Sequence, residues 1–342
     1  MDAPDVRLVA VGTALPGPPV DNAALAKRFG VDEIWEQWVD AFIGTRQRHF
    51  SVDLDSGEVR YRLADLGRIA AERAFATAGL SPGDVDLVVM GTSSPDQLMP
   101  ATVNVIADQL GINGVPSFQL QSGCTGAFQA LDVAHQMLST GRHRTALVLG
   151  GDVCTKHLDL TLDPKDLTPA ELVPGVMFGD GAGAALLSTE PRAGAPTIRR
   201  ILVRLTGLDR EPGHVVDWYG PADHHASGPA TSEDYKAIEE SVPTMAAEIL
   251  GELQDELDWP DLDYLLPPQL SGRMTARIVE SLGVPGAREI SCVTSTGNTG
   301  NALPFFQFEQ LLARMAPHDR ALGIAVESSK WIKGGIALEM TA

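Results

Sequence analysis

Phe118-Gln-Leu-Gln-Ser-Gly-Cys-Thr-Gly-Ala-Phe-Gln-Ala-Leu131 is the stretch on which the fold turns. Residues 118–121 have the look of a short buried strand. A turn of small residues, Ser122-Gly-Cys-Thr-Gly126, follows, and apolar positions then recur at helical spacing to Leu138. Strand, glycine turn and helix in this order place Cys124 at or just before a helix N-terminus. There the helix dipole and unpaired backbone N–H groups favour a thiolate, and small neighbours let a substrate reach the sulfur. The geometry is that of a nucleophile elbow. A free cysteine is otherwise a buried small hydrophobe, and Cys154 and Cys292, which lack the turn, are read that way.

Outward from this turn the chain alternates strand and helix. Residues 7–12, 85–91, 145–150, 181–188 and 321–326 are apolar runs bounded by Gly, Asp or Pro, as buried strands are. Residues 63–79, 101–111 and 126–138 carry amphipathic spacing, and the first two stop at glycines. The class is α/β. Residues 85–138 and 262–312 repeat one pattern of strand, loop, helix ending Leu-Gly, strand, glycine turn and helix. The second turn is Thr296-Gly-Asn-Thr-Gly300, so Asn298 stands where Cys124 stands in the first copy. Two copies predict two similar fused halves, residues 1–190 around Cys124 and 191–342 around Asn298. The join lies in Thr189-Glu-Pro-Arg-Ala-Gly-Ala-Pro196.

Composition narrows the partners. A chain of 342 residues, 44% hydrophobic, buries a large core, and a net charge of −19 repels both nucleic acid and anionic lipid. No basic apolar leader opens the sequence and no apolar run approaches the roughly 20 residues a membrane span needs, so a cytoplasmic protein without membrane contact is expected. Three scattered cysteines make neither a disulfide framework nor a zinc cluster, and no metal site is expected. Gly179, Gly181 and Gly183 do not form a dinucleotide loop, because Ala184-Ala-Leu-Leu187 continues as strand where that loop opens a helix. They are expected to allow close packing near the cysteine. A serine hydrolase is excluded by the absence of G-x-S-x-G at a strand-to-helix junction.

Several ordered stretches resemble the β-ketoacyl-acyl-carrier-protein synthase III branch of the thiolase superfamily over nearly the whole chain. They are Ile43-Gly-Thr-Arg-Gln-Arg-His49, residues 122–131, Phe178-Gly-Asp-Gly-Ala-Gly-Ala184 and Gly297-Asn-Thr299. The resemblance implies a layered αβαβα thiolase fold, a homodimer, Cys124 as the residue acylated by an acyl-CoA or acyl-carrier-protein thioester, and Asn298 as the catalytic asparagine. The CoA or phosphopantetheine thioester is then substrate, and no further cofactor is implied. Arg273 matches the family's carrier-docking arginine; a solvated helix arginine is the alternative.

The departures carry as much information. Where relatives read Pro-His-Gln-Ala-Asn, this chain reads Pro267-Pro-Gln-Leu-Ser271, so the histidine that helps hold the malonyl enolate is replaced by Pro268. Loss of one oxyanion donor costs about 3 kcal/mol, or roughly 10² to 10³ in rate, and decarboxylative condensation relies on both. Acylation of Cys124 needs only the thiolate and backbone N–H groups. The expected activity is therefore acyl transfer to a hydroxyl or amine of a natural-product acceptor. The alternatives are a decarboxylative synthase that primes a fatty acid or polyketide chain and a non-catalytic partner subunit, which intact Cys124 disfavours.

No general base is assigned. His214, His224 and His225 fall in a polar loop, residues 211–232, and are read first as solvated; His49, His135, His143, His157 and His318 are read as structural. Glu327-Ser-Ser-Lys-Trp331 replaces the family's glycine-rich turn and adds bulk and charge beside the pocket. Residues 158–176 are read as a lengthened loop, and Met99 stands where relatives place a residue reaching into the partner's acyl tunnel.

Overall fold

The structure, a computed structural model, describes residues 4–157, 169–217 and 231–341. The chain begins β1 (Arg7–Ala14), β2 (Val20–Asp21), α1 (Asn22–Phe29), α2 (Glu33–Trp38), β3 (Gln47–Arg48) and α3 (Leu63–Ala78). It continues β4 (Leu87–Gly91), α4 (Thr102–Leu110), β5 (Ser117–Leu120), α5 (Gly126–Ser139), β6 (Thr145–Asp152), α6 (Pro169–Met177) and β7 (Gly181–Ser188). Then come β8 (Thr197–Leu205), β9 (His214–Val216), β10 (Thr231–Glu233), α7 (Tyr235–Leu257), β11 (Tyr264–Leu266) and α8 (Gly272–Leu282). The last elements are β12 (Arg288–Glu289), α9 (Val293–Thr296), α10 (Leu303–Leu312), β13 (Arg320–Glu327) and β14 (Ile332–Glu339).

The glycines that end the first two expected helices do so as left-handed caps: Gly79 has φ 62° and Gly111 φ 72°, values that glycine adopts without a Cβ penalty. The main sheet runs β12-β11-β13-β14-β8-β1-β7-β6-β4-β5. This order reads alike from both edges. β4 lies parallel to β5 and β6, and β7 and β1 follow antiparallel; β11 lies parallel to β12 and β13, and β14 and β8 follow antiparallel. The two sets of five meet at β1 and β8 through Arg7 and Thr197.

Side-chain alternation along the strands builds the layers. Leu87 and Val89 of β4 join Phe128 and Leu131 of α5, Phe305 and Phe308 of α10, and Tyr264, Ala321 and Ile336 of the other strand set in one buried cluster. Val88 and Met90, on the opposite face of β4, pack on Leu66 and Ala70 of α3 and Ile106 of α4. On the far side, Val242, Ile249 and Leu253 of α7 and Ile278 of α8 cover Leu265, Leu322 and Ile324. The result is αβαβα, with α5 and α10 in the central layer.

Some expectations needed correction. Residues 169–176 of the stretch read as a lengthened loop belong to α6, whereas 158–168 lie outside the described residues. The segment 211–232, read as one loop, contains β9 and most of β10, paired antiparallel; His224 and His225 lie outside the described residues. Long-range strand pairing and burial formed β8, β14 and α7, which local patterning did not single out.

Candidate active site

β5 delivers the chain to Ser122, residues 123–125 make one 3₁₀ turn, and α5 starts at Gly126. Thr125 Oγ1 donates to the Ser122 carbonyl at 2.9 Å, and Ser122 Oγ donates to Gln129 Oε1 at 2.8 Å, which fix the turn. Gly91 of β4 lies against Gly126, where an added Cβ would overlap backbone, so the helix start sits directly on the sheet. Cys124 is half-buried at this corner.

Its surroundings differ from the thiolate cradle that position alone predicts. The Cys124 backbone N–H donates to Glu327 Oε2. Glu327 ends β13, is buried, and through Oε1 also accepts the Ser329 N–H at 2.6 Å. Gly123 has φ 53°, and a Cβ there would overlap the Glu327 carboxylate. Burial, reinforced by the carboxylates of Glu327 and Asp152 and by a hydrogen bond to Glu327, pushes the Cys124 thiol well above the ordinary range. These surroundings act against the expected thiolate: burial first, and then the carboxylates of Glu327 and Asp152, oppose the helix N-terminus and favour the protonated thiol.

Asp152, buried at the end of β6, gathers the two halves. Its Oδ1 accepts from Ser93 N at 2.7 Å, Ser94 N at 3.0 Å, Ser94 Oγ at 2.8 Å and Thr92 Oγ1 at 3.2 Å. Its Oδ2 accepts from Asn301 N at 2.9 Å and Asn301 Nδ2 at 2.8 Å. Asn301 Oδ1 in turn accepts the Ala127 N–H, one of the amides that the start of α5 leaves without a partner in the helix. Neither Asp152 nor Asn301 was singled out from sequence. The signal lay in the repeat, which sets Asn301 opposite Ala127 just as it sets Asn298 opposite Cys124.

Asn298 is buried in the second glycine turn, and the 3₁₀ turn after it, residues 300–302, packs on residues 123–125. Its N–H donates to the Met177 carbonyl at 2.9 Å and its own carbonyl accepts the Gly179 N–H at 3.1 Å. Asn298 Oδ1 accepts the Gly300 N–H at 3.0 Å, and among the described residues its Nδ2 has no hydrogen-bond partner. The glycines of residues 178–184 serve close approach, but to a different neighbour from the one expected. A Cβ at Gly179 would lie 2.6 Å from the Thr296 carbonyl, and one at Gly183 would overlap Phe305, so these glycines seat the asparagine turn and α10 rather than the cysteine. The 43–49 segment closes the same region. The guanidinium of fully buried Arg48 donates to Asn22 Oδ1 and the Val176 carbonyl at 2.6 Å each, and burial lowers its pKa to about 10.

Pro268 is buried after β11 and offers no side-chain donor. Gln269 beside it is committed to structure, its Oε1 accepting the N–H groups of Cys292 and Val293 at 2.6 and 2.8 Å. Cys292 is buried, which pushes its thiol up to about 12, and burial raises Cys154 as well; both fit the inert reading. Arg273 stands exposed in the first turn of α8, beside Gly44 rather than among the groups around Cys124. His214 faces Glu233 at 3.4 Å across β9 and β10, His49 contacts the Pro16 and Gly17 carbonyls, and Met99 is exposed.

Comparison with known proteins agrees with this architecture. The profile of 3-oxoacyl-[acyl-carrier-protein (ACP)] synthase III matches residues 118–202. The β-ketoacyl-[acyl-carrier-protein] synthase III of Rhodospirillum rubrum is 32% identical over 300 residues, covering 86% of each chain. The structure described as AbyA1, a tetronic acid condensing enzyme, is 58% identical, covers 98% of this chain and 99% of its own, and superposes with a TM-score of 0.95. The 3-oxoacyl-(acyl carrier protein) synthase III of Pseudomonas aeruginosa, at 24% identity and 99% coverage of both chains, has a TM-score of 0.83. Among the described residues no helix is long and apolar enough to cross a membrane.

Proposed function

The chain belongs to the β-ketoacyl-acyl-carrier-protein synthase III family, and within it we propose an acyltransferase that moves an acyl group from a CoA or acyl-carrier-protein thioester, through an acyl-enzyme on Cys124, to a hydroxyl or amine of a natural-product acceptor. One observation carries this reading: an intact Cys124 elbow stands with Pro268 at the position of the family's histidine.

The two half-reactions make different demands. Attack of Cys124 Sγ on a thioester carbonyl needs a proton acceptor and donors for the developing oxyanion. The Cys124 N–H is one such donor once released from Glu327, and the Asn298 Nδ2 is a second candidate. Decarboxylation of a malonyl thioester instead leaves an enolate that has lost one of its two donors, at a cost of about 3 kcal/mol. An oxygen or nitrogen nucleophile forms no enolate, so Pro268 does not hinder its acylation.

The 58% identity with a tetronic acid condensing enzyme favours a second reading at the same site. A tetronic acid is a five-membered ring closed by one ester bond and one carbon–carbon bond. The carbon nucleophile for such a ring lies between two carbonyls and loses a proton without losing carbon dioxide. Ester formation and ring-forming condensation are thus both compatible with Pro268, and differ in product.

A homodimer belongs to the same proposal. β5 is an edge strand carrying the exposed Phe118, and a second copy paired along it would cover that edge. The mirrored strand order supports the division into residues 1–190 and 191–342.

The test is carbon dioxide release and product mass for the wild type, supplied with one acyl donor and either a malonyl thioester or a hydroxyl or amine acceptor. Ester or amide product without carbon dioxide is expected. Efficient β-ketoacyl product with stoichiometric carbon dioxide would return the chain to the ordinary condensing enzymes.

A further inference from the structure

We propose that Glu327 is the proton-transfer residue of the acyl-transfer cycle, accepting the proton of Cys124 as the acyl-enzyme forms and that of the acceptor as the acyl group leaves. This rests on the acyl-transfer reading and adds the base that Pro268 leaves unassigned.

The carboxylate is hard to explain as a stabilising element. Glu327 is 2% exposed, and among the described residues no lysine, arginine or histidine pairs with it; its partners are the N–H groups of Cys124 and Ser329. Burying a carboxyl group without a cationic partner is costly, and its approach to the turn depends on Gly123, where any side chain would overlap it. The backbone is therefore shaped to admit a carboxylate against the nucleophile. The thiol needs one, because its environment holds the proton on sulfur. Asp152 is the other carboxylate close by, but six donors already occupy its two oxygens. Glu327 remains, its Oε2 accepting the backbone N–H of the residue whose thiol it must deprotonate.

The same contact orders the steps. In the free protein Glu327 holds the Cys124 N–H, so a thioester carbonyl oxygen must displace the carboxylate to use that donor. As the oxygen takes the N–H, the carboxylate takes the Sγ proton, and Sγ bonds to the carbonyl carbon. The C–S bond of the donor then breaks, and protonated Glu327 returns its proton to the leaving thiolate. In the second half, Glu327 accepts the proton of the acceptor's O–H or N–H as that atom bonds to the acyl carbon. The Cys124 sulfur departs and is reprotonated by Glu327.

Glu327→Gln separates this role from a structural one, since the amide still accepts the Cys124 N–H but carries neither charge nor base. Alkylation of Cys124 by iodoacetamide at neutral pH should become faster, because a neighbouring anion is gone. Acylation by an acyl thioester should become slower by about 10²-fold or more, the usual contribution of a positioned base. A structural residue would move both rates in one direction. The wild type supplies a second measurement that no folding defect can confuse: its acylation rate should reach its plateau at a pH where alkylation is still slow. Coincident profiles, or a Glu327→Gln protein acylated as fast as the wild type, would overturn the assignment and leave the acyl-transfer reading intact. A wild type that no thioester acylates would overturn both.

Discussion

Asn301 Oδ1 accepts the Ala127 N–H at 2.7 Å, joining residues 174 positions apart. The start of α5 is thereby capped from the opposite half of the chain, and the same asparagine secures Asp152. Asn301→Ala would strand the Ala127 amide and remove the Nδ2 donor from a buried carboxylate, which keeps the backbone N–H of residue 301. At 1–3 kcal/mol for a buried group left unpaired, we expect a loss of about 2 kcal/mol in urea unfolding, with slower acylation. A loss below about 1 kcal/mol would contradict the role given to this bond.

Asn298 should behave differently. Its Oδ1 holds one N–H, that of Gly300, so Asn298→Ala should cost only about 1 kcal/mol of stability while lowering turnover and leaving Cys124 acylation measurable. Turnover equal to that of the wild type would mark Asn298 as a turn residue and nothing more.

Arg273, exposed on α8 apart from the cysteine, is proposed to act on the donor rather than the chemistry. A local positive charge can dock an acidic carrier on a protein of net charge −19. Arg273→Glu is expected to raise KM for an acyl-carrier donor several-fold more than for acyl-CoA, in parallel steady-state assays. An equal effect on both donors, or none, removes the docking role.

Pro268→His places an imidazole at the position the family uses. It also frees φ and adds a backbone N–H, so the end of β11 has room to shift. Carbon dioxide release from a malonyl thioester should rise from its low baseline, by up to the roughly 10² that one oxyanion donor contributes. A rate unchanged in a folded variant would show that the missing donor is not what blocks condensation.

The sequence carried the layers and the Cys124 turn because both are written locally. Strand 181–188 was read to the residue, the helices ending at Gly79 and Gly111 stopped where left-handed caps stop them, and the repeat anticipated the mirrored strand order. The upward shift of the Cys124 thiol was not legible, because it depends on burial by the fold, on Glu327, 203 positions away, and on Asp152. The helix-terminus rule was sound for the turn alone; burial and two carboxylates brought by the fold act against it. Glu327 did register as a departure from the glycine-rich turn, yet bulk beside the pocket and contact with the nucleophile look alike in one dimension. α7 was missed for a related reason: Pro243 lies inside it, and its 23 residues are held by one buried face.

Intact-protein mass spectrometry of the wild type and Cys124→Ala, after exposure to acyl-CoA and acyl-carrier thioesters, tests the account most directly. The wild type should gain the mass of one acyl group and lose it when a hydroxyl or amine acceptor is added, whereas Cys124→Ala should gain nothing. A wild type that stays unmodified, or a variant that carries the same adduct and turns over, would contradict acyl transfer through Cys124.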